Sequence, residues 1–137
     1  MSIGIYVATN RLVRLPFPEG YHVIVLGKRQ TPSPEGQFHI GKADVLFETE
    51  GENIVEKNPF FCELTGFYWL LKNRWKELED YVGVCQYRRY FSFHPDKAAA
   101  KGTVAGAAFA SLIDVQGLEA QLRQADFHVL EAERFAP

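Results

Sequence analysis

Two adjacent arginines, Arg88 and Arg89, stand between Tyr87 and Tyr90, just after the apolar, β-rich run Tyr81 to Cys85 and the amide Gln86. A guanidinium is planar, permanently charged and forked, so its paired donors match the oxygens of a phosphate. Ligands of open α/β sheets are held outside the carboxyl ends of strands. A polar turn with two arginines at such a place has the chemistry to neutralise a phosphorylated ligand. Tyr87 or Tyr90 adds a ring able to stack on a base or a sugar. The same charges also suit structural ion pairs with the acidic run Glu48 to Glu52, or with Glu63. Neighbouring side chains on extended backbone point to opposite faces, which leaves a structural role open for one of the two arginines.

Other candidates lie at similar boundaries. Thr9, Asn10 and Arg11 follow the first apolar run, where they read equally as ligand contacts and as turn formers. Lys57 and Asn58 begin a helical stretch, which reads as an anion site or, for Asn58, as an N-cap. Glu63 falls in the first helical turn, where the dipole favours a carboxylate. It reads first as a structural ion-pair partner and second as a candidate catalytic base. Glu48, Glu50 and Glu52 alternate with other residues and read as a solvated edge. The four histidines show neither HxxxH nor HxH spacing, so they do not read as a metal site. GxSxG, GxGxxG and GxxxxGK[ST] are absent from the sequence, which leaves hydrolase, dinucleotide and P-loop chemistry without a motif.

These residues need elements to position them. Ile3 to Ala8 and Tyr21 to Leu26 read as buried strands, and Val45 to Phe47 as a short extended piece. Lys28 to Lys42, with two prolines and two glycines, reads as a long surface loop. From Asn58 as N-cap and Pro59 at the first helical position, Phe61, Leu64, Tyr68, Leu71 and Trp75 recur at spacings of three and four. That periodicity predicts one helix with those five residues against a core and Trp69 beside them. Tyr81 to Cys85 reads as a third buried strand and Ala98 to Leu112 as loop with a weak helix. Val115 to Gln124 reads as a helix, and Phe127 to Leu130 as a last strand. The order predicts an α/β fold with a mainly parallel sheet and flanking helices.

Bulk properties narrow the function. The 137 residues fit one domain, and 47% hydrophobic with 14% aromatic content indicates an ordered globule. A net charge of −2 gives no field for nucleic acid. Cys62 and Cys85 lack CxxC spacing and suit buried thiols in a reducing compartment. The N-terminus has no signal-peptide pattern and no stretch of about 18 apolar residues occurs, so a cytoplasmic protein is expected, with peripheral association at the inner membrane left open.

Two segments, Glu52 to Asn73 and Asp80 to Phe93, carry a resemblance. Asn53-Ile54, Lys57-Asn58, Cys62-Glu63-Leu64-Thr65, Tyr68-Trp69 and Lys72-Asn73 come first, then Tyr87-Arg88-Arg89-Tyr90-Phe91. Together they resemble a bacterial glycosyltransferase-like family of capsule, exopolysaccharide and O-antigen gene clusters. The likeness covers nearly all of this chain but only the N-terminal part of a typical member, so a domain truncated at its C-terminus is expected. The resemblance implies a GT-A-like, Rossmann-type half domain that binds a nucleotide-sugar, a UDP-sugar in the first instance, and passes the sugar to a saccharide acceptor. Common GT-A enzymes hold a divalent metal with Asp-x-Asp after such a helix and strand. No Asp-x-Asp occurs in this sequence, and Arg88 and Arg89 stand at the matching place. The expectation is therefore a metal-independent site in which guanidinium charge neutralises the diphosphate, with a divalent metal not excluded. Thr9, Asn10, Arg11, Lys57, Asn58, Gln86, Tyr87, Arg88 and Arg89 are its substrate-binding candidates. The sequence departs from the family where Asn10-Arg11 replaces a His-Lys pair, where Gln86 replaces the histidine of "HYRRY", and where Val55 replaces a serine. Amides do not titrate near neutral pH. A second expectation follows from these losses: a truncated, non-catalytic binding or assembly module, as a homo-oligomer or on a full-length transferase.

Overall fold

The computed structural model describes residues 2–10, 17–28, 41–87 and 115–124. Four strands form one sheet: β1 (Ile3–Thr9), β2 (Tyr21–Val25), β3 (Asp44–Phe47) and β4 (Tyr81–Gln86). Their order is β3-β2-β1-β4, and all three pairings are parallel. Ile5 lies beside Tyr21 in β2 and beside Gly83 in β4, while Val23 lies beside Val45 in β3. The α/β class and parallel sheet expected from the element order are observed.

The central strands are apolar at nearly every position because both faces of a parallel sheet are covered. Alternate residues divide between two cores. Ile5, Val7, Tyr21, Val23, Val25 and Cys85 pack with Phe17 and Val115 on one face. Tyr6, Ala8, Ile24 and Leu26 pack with Trp69 and Leu70 on the other. Each fully buried valine, leucine or isoleucine contributes roughly 1.5–3 kcal/mol. Val115 belongs to a 3-10 turn, Val115–Leu118, that leads into a short helix, Glu119–Leu122. A helical 115–124 segment was expected; the structure gives it as this mixed form. Phe127 to Leu130 and Ala98 to Leu112 lie outside the described residues.

The single helix expected from Asn58 is two helices, α1 (Asn58–Phe61) and α2 (Leu64–Arg74). Cys62, at φ 49° and ψ −126°, breaks them apart. The expected core face is also corrected. Phe61, Leu64, Leu71 and Trp75 are exposed, and Tyr68 is only half-buried. The face of α2 on the sheet is Thr65, Gly66, Trp69 and Leu70. Size decides this. A Cβ on Gly66 would stand 2.5 Å from Leu26 Cδ2, so the bare backbone lets the helix approach β2 closely. The periodicity of large apolar residues marked the opposite side, which the sheet does not cover. Likewise β4 is not a buried strand: Val82 and Val84 are exposed beside the shielded Cys85.

Toward the amino ends of the strands a polar seam crosses the sheet. Tyr6 donates its hydroxyl to Glu79 Oε2 at 2.9 Å, and His22 Nε2 lies 2.7 Å from Glu79 Oε1. His22 Nδ1 bonds Asp44 in β3, and the His22 ring stacks on Tyr6 with centroids 4.4 Å apart. Burial, then the Glu79 hydrogen bond, holds the Tyr6 phenol above its usual range. The seam links β1, β2, β3 and the segment before β4.

Candidate functional site

The strand order reverses between β1 and β4: the chain runs outward from β1 to β2 and β3, then returns to place β4 on the other side of β1. In open α/β sheets ligands are bound at such a switch point, outside the carboxyl ends of the strands. Thr9 and Asn10 end β1 there, and Gln86 and Tyr87 end β4. The Tyr87 amide donates to Ala8 O at 3.0 Å, and the Leu26 amide to Thr9 O at 2.8 Å, which fixes the three chain ends side by side.

Glu63 reaches this point from the helical layer. It immediately precedes α2, and Gln86 Nε2 donates to its Oε1 at 2.8 Å. The two residues are 23 apart in sequence, so the pairing is a product of the fold. The Asn58 side chain braces the same corner. Its Nδ2 donates to Cys62 O at 2.9 Å and to Thr65 Oγ1 at 3.0 Å, and Thr65 Oγ1 donates to Cys62 O. Asn58 is thus not an N-cap; Lys57 holds that position, without a side-chain cap bond. The four-residue α1 directly continues the turn Val55–Lys57, so Lys57 and Asn58 lie within a short helical stretch rather than at the head of a long helix.

The loop between β3 and α1 is clamped onto α2. Asn73 donates from Nδ2 to Glu52 O at 2.7 Å and accepts from the Glu52 amide at 3.1 Å. Trp69 Nε1 donates to Glu50 O, and Asn53 Nδ2 donates to Gly51 O at 2.9 Å. Asn53, Asn58, Thr65, Trp69 and Asn73 are therefore the framework that holds this loop beside the strand ends. Lys28 and Glu56 add an exposed ion pair of 3.1 Å between the end of β2 and the turn Val55–Lys57.

Of the substrate-binding candidates, Thr9, Asn10, Gln86 and Tyr87 come together at the carboxyl ends of β1 and β4. Thr9 is buried and Asn10 exposed, whereas Tyr87 packs partly against the first core cluster. Arg11, Arg88, Arg89 and Tyr90 lie outside the described residues. Lys57 is exposed on the helical layer.

Glu48 is the residue that the sequence hid. It directly follows β3, has no solvent exposure, and accepts the Gly27 amide at Oε1 over 2.6 Å. Its Oε2 is buried and has no hydrogen-bond partner among the described residues. It was expected on a solvated edge, as Glu50 and Glu52 are. The run Glu48-Thr49-Glu50-Gly51-Glu52 carries no internal signal to separate one glutamate from the others. Both cysteines are free. Burial pushes the Cys85 thiol up to about 12, while Cys62, expected buried, is exposed because it sits on the outer corner between helices. No group of three metal-ligating side chains occurs among the described residues, and no described helix is long and apolar enough to cross a membrane.

The four described strands, parallel in the order β3-β2-β1-β4 with helices packed against them, form an α/β fold that resembles a glycosyltransferase structure. The likeness is to the apo structure of the bifunctional glycosyltransferase WbbM, at 30% identity and a TM-score of 0.53 over 75% of this chain. The chain spans 16% of the length of that protein. Residues 4–135 match the family described as "Domain of unknown function (DUF4422)", and the chain belongs to that family. No curated protein matches it.

Proposed function

We propose that this domain binds a nucleotide-sugar donor at the carboxyl ends of β1 and β4 and serves glycosyl transfer to a growing surface polysaccharide. The observation that carries the reading is the Gln86–Glu63 pair at the switch point, in a fold similar to that of a glycosyltransferase. Arg88 and Arg89 directly follow Tyr87, whose amide is tied to the end of β1. In this reading their guanidinium groups neutralise the diphosphate as the sugar leaves, the place where preorganised charge gives the greatest return. Glu63 is the candidate base, oriented by Gln86. A UDP-sugar is the first donor to test, and a saccharide hydroxyl is the acceptor. Titration of the full chain with UDP- and GDP-sugars, in the presence and absence of EDTA, tests the proposal. Saturable binding that survives EDTA supports it; strict metal dependence overturns the role given to the arginines.

A second reading, a non-catalytic assembly module, is favoured by one observation. Phe60, Leu64, Leu71 and Trp75 leave large apolar surface exposed on the helical layer, more than isolated surface hydrophobes require. Donor binding without turnover, together with self-association, supports this reading over the enzyme.

A further inference from the structure

We infer that the outer face of α2 is a self-association surface, on which a second copy of this chain packs its own α2 antiparallel about a two-fold axis. The inference deepens the assembly reading above by naming the partner and the residues that meet. Leu64, Tyr68, Leu71 and Trp75 recur at spacings of four, three and four along α2 and into the 3-10 turn Trp75–Glu77 that continues it. That alternation is the seam of two packed helices. The stripe is turned away from Gly66 and Leu70, which lie on the sheet. Phe60 and Phe61 extend it at the amino end, and Phe60 is 83% and Trp75 67% exposed. With large side chains counted at about 200 Å² each, Phe60, Phe61, Leu64, Leu71 and Trp75 offer on the order of 600 Å² of apolar surface. That is the upper end of what a monomer shows, and most of the ~800 Å² that each partner buries in a specific complex.

The charged rim selects a second copy as the occupant. Lys72 lies over the Tyr68 ring, 5.6 Å from its centroid, and the Tyr68 hydroxyl donates to Glu52 Oε1 at 3.5 Å. An exposed cation and an exposed carboxylate therefore border the stripe beside the same side chain. Antiparallel helices related by a two-fold axis present like flanks to each other. Each Lys72 then comes within reach of the partner's Glu52, on both sides of the axis. A parallel pair would instead set Lys72 against the partner's Arg74. A bilayer of anionic lipid would attract Lys57, Lys72 and Lys76 but repel Glu52 and the exposed Glu56. A rim of both signs is satisfied by its own copy.

Sedimentation equilibrium of the full chain over the micromolar range is the test. Wild type is expected as a dimer in exchange with monomer. Leu71→Glu, at an exposed position that the fold tolerates, is expected as a monomer with an unchanged melting temperature. Glu52→Lys and Lys72→Glu should each weaken the dimer about tenfold at low salt, because both ion pairs become repulsions. Mixing these two variants should restore it, since one copy then carries both cations and the other both carboxylates. A pair formed within one chain could not be restored by mixing. A dimer that Leu71→Glu leaves intact, or a mixture that associates no better than either variant alone, overturns the inference. Wild type that stays monomeric also overturns it and leaves the assembly reading to another partner; if that monomer pellets with phosphatidylglycerol vesicles, the face belongs to a bilayer. Turnover of a donor sugar by the chain overturns the assembly reading without touching the dimer.

Discussion

Gln86, the last residue of β4, donates its side-chain amide to Glu63 at the head of α2, 2.8 Å away. One hydrogen bond thus couples the edge of the sheet to the helical layer at the point where the strand order reverses. The family resemblance has a histidine at the position of Gln86, so the contact is set in a form that does not titrate near neutral pH.

Gln86→His should introduce a titrating partner. Glu63 favours the protonated imidazole, which raises the histidine above its unfolded value. The added stability is then fully present below the unfolded pKa and lost as pH rises through the folded one. Melting curves from pH 5 to 8.5 should show the variant gaining on wild type at the acidic end. Parallel pH profiles would show that the two side chains do not meet.

The clamp on the β3–α1 loop is a stability element. Asn73→Ala removes a side chain that both donates to and accepts from Glu52, and should cost about 1–2 kcal/mol in urea unfolding. An unchanged midpoint would remove the clamp from the account.

At the break between the helices, Cys62 holds φ 49°, a conformation suited to glycine. Cys62→Gly should stabilise the fold by on the order of 1 kcal/mol. In the native protein a thiol reagent should label Cys62 quickly and Cys85 only on unfolding, since burial suppresses its thiolate. Fast labelling of both would contradict the packing of β4.

These contacts also show how far the sequence could be read. Strand positions and the parallel sheet were legible from the β-branched runs around Val7, Val23 and Val45 and from the helical stretch before Tyr81. The face of α2 was not, because Gly66 and Thr65 make the contact and are too small to weigh in an apolar period, while Phe61, Leu64 and Leu71 dominate it from the solvent side. That Thr9 and Gln86 stand at strand ends was legible from where the apolar runs stop. Glu48 was not. Its burial depends on Gly27, 21 residues away, a tertiary relation that no local pattern records.

Acid should act at the start of the sheet. The Ser2 backbone amide, then its hydroxyl, donates to the Asp80 carboxylate and holds it below its ordinary range. A lowered folded pKa contributes stability that is present above the unfolded value and lost as pH falls through the folded one. Wild type should therefore lose more of its melting temperature than Asp80→Asn between pH 5 and pH 2.5. Identical acid profiles would remove Asp80 as a contributor.

The role given to Arg88 and Arg89 is tested most directly by titrating UDP- and GDP-sugars into wild type, Arg88→Ala and Arg89→Ala in EDTA. Wild type should bind one donor saturably, and at least one variant should lose about tenfold or more in affinity, the worth of a charge-assisted contact to phosphate. Binding that requires a divalent metal, or that both variants retain in full, would contradict the account.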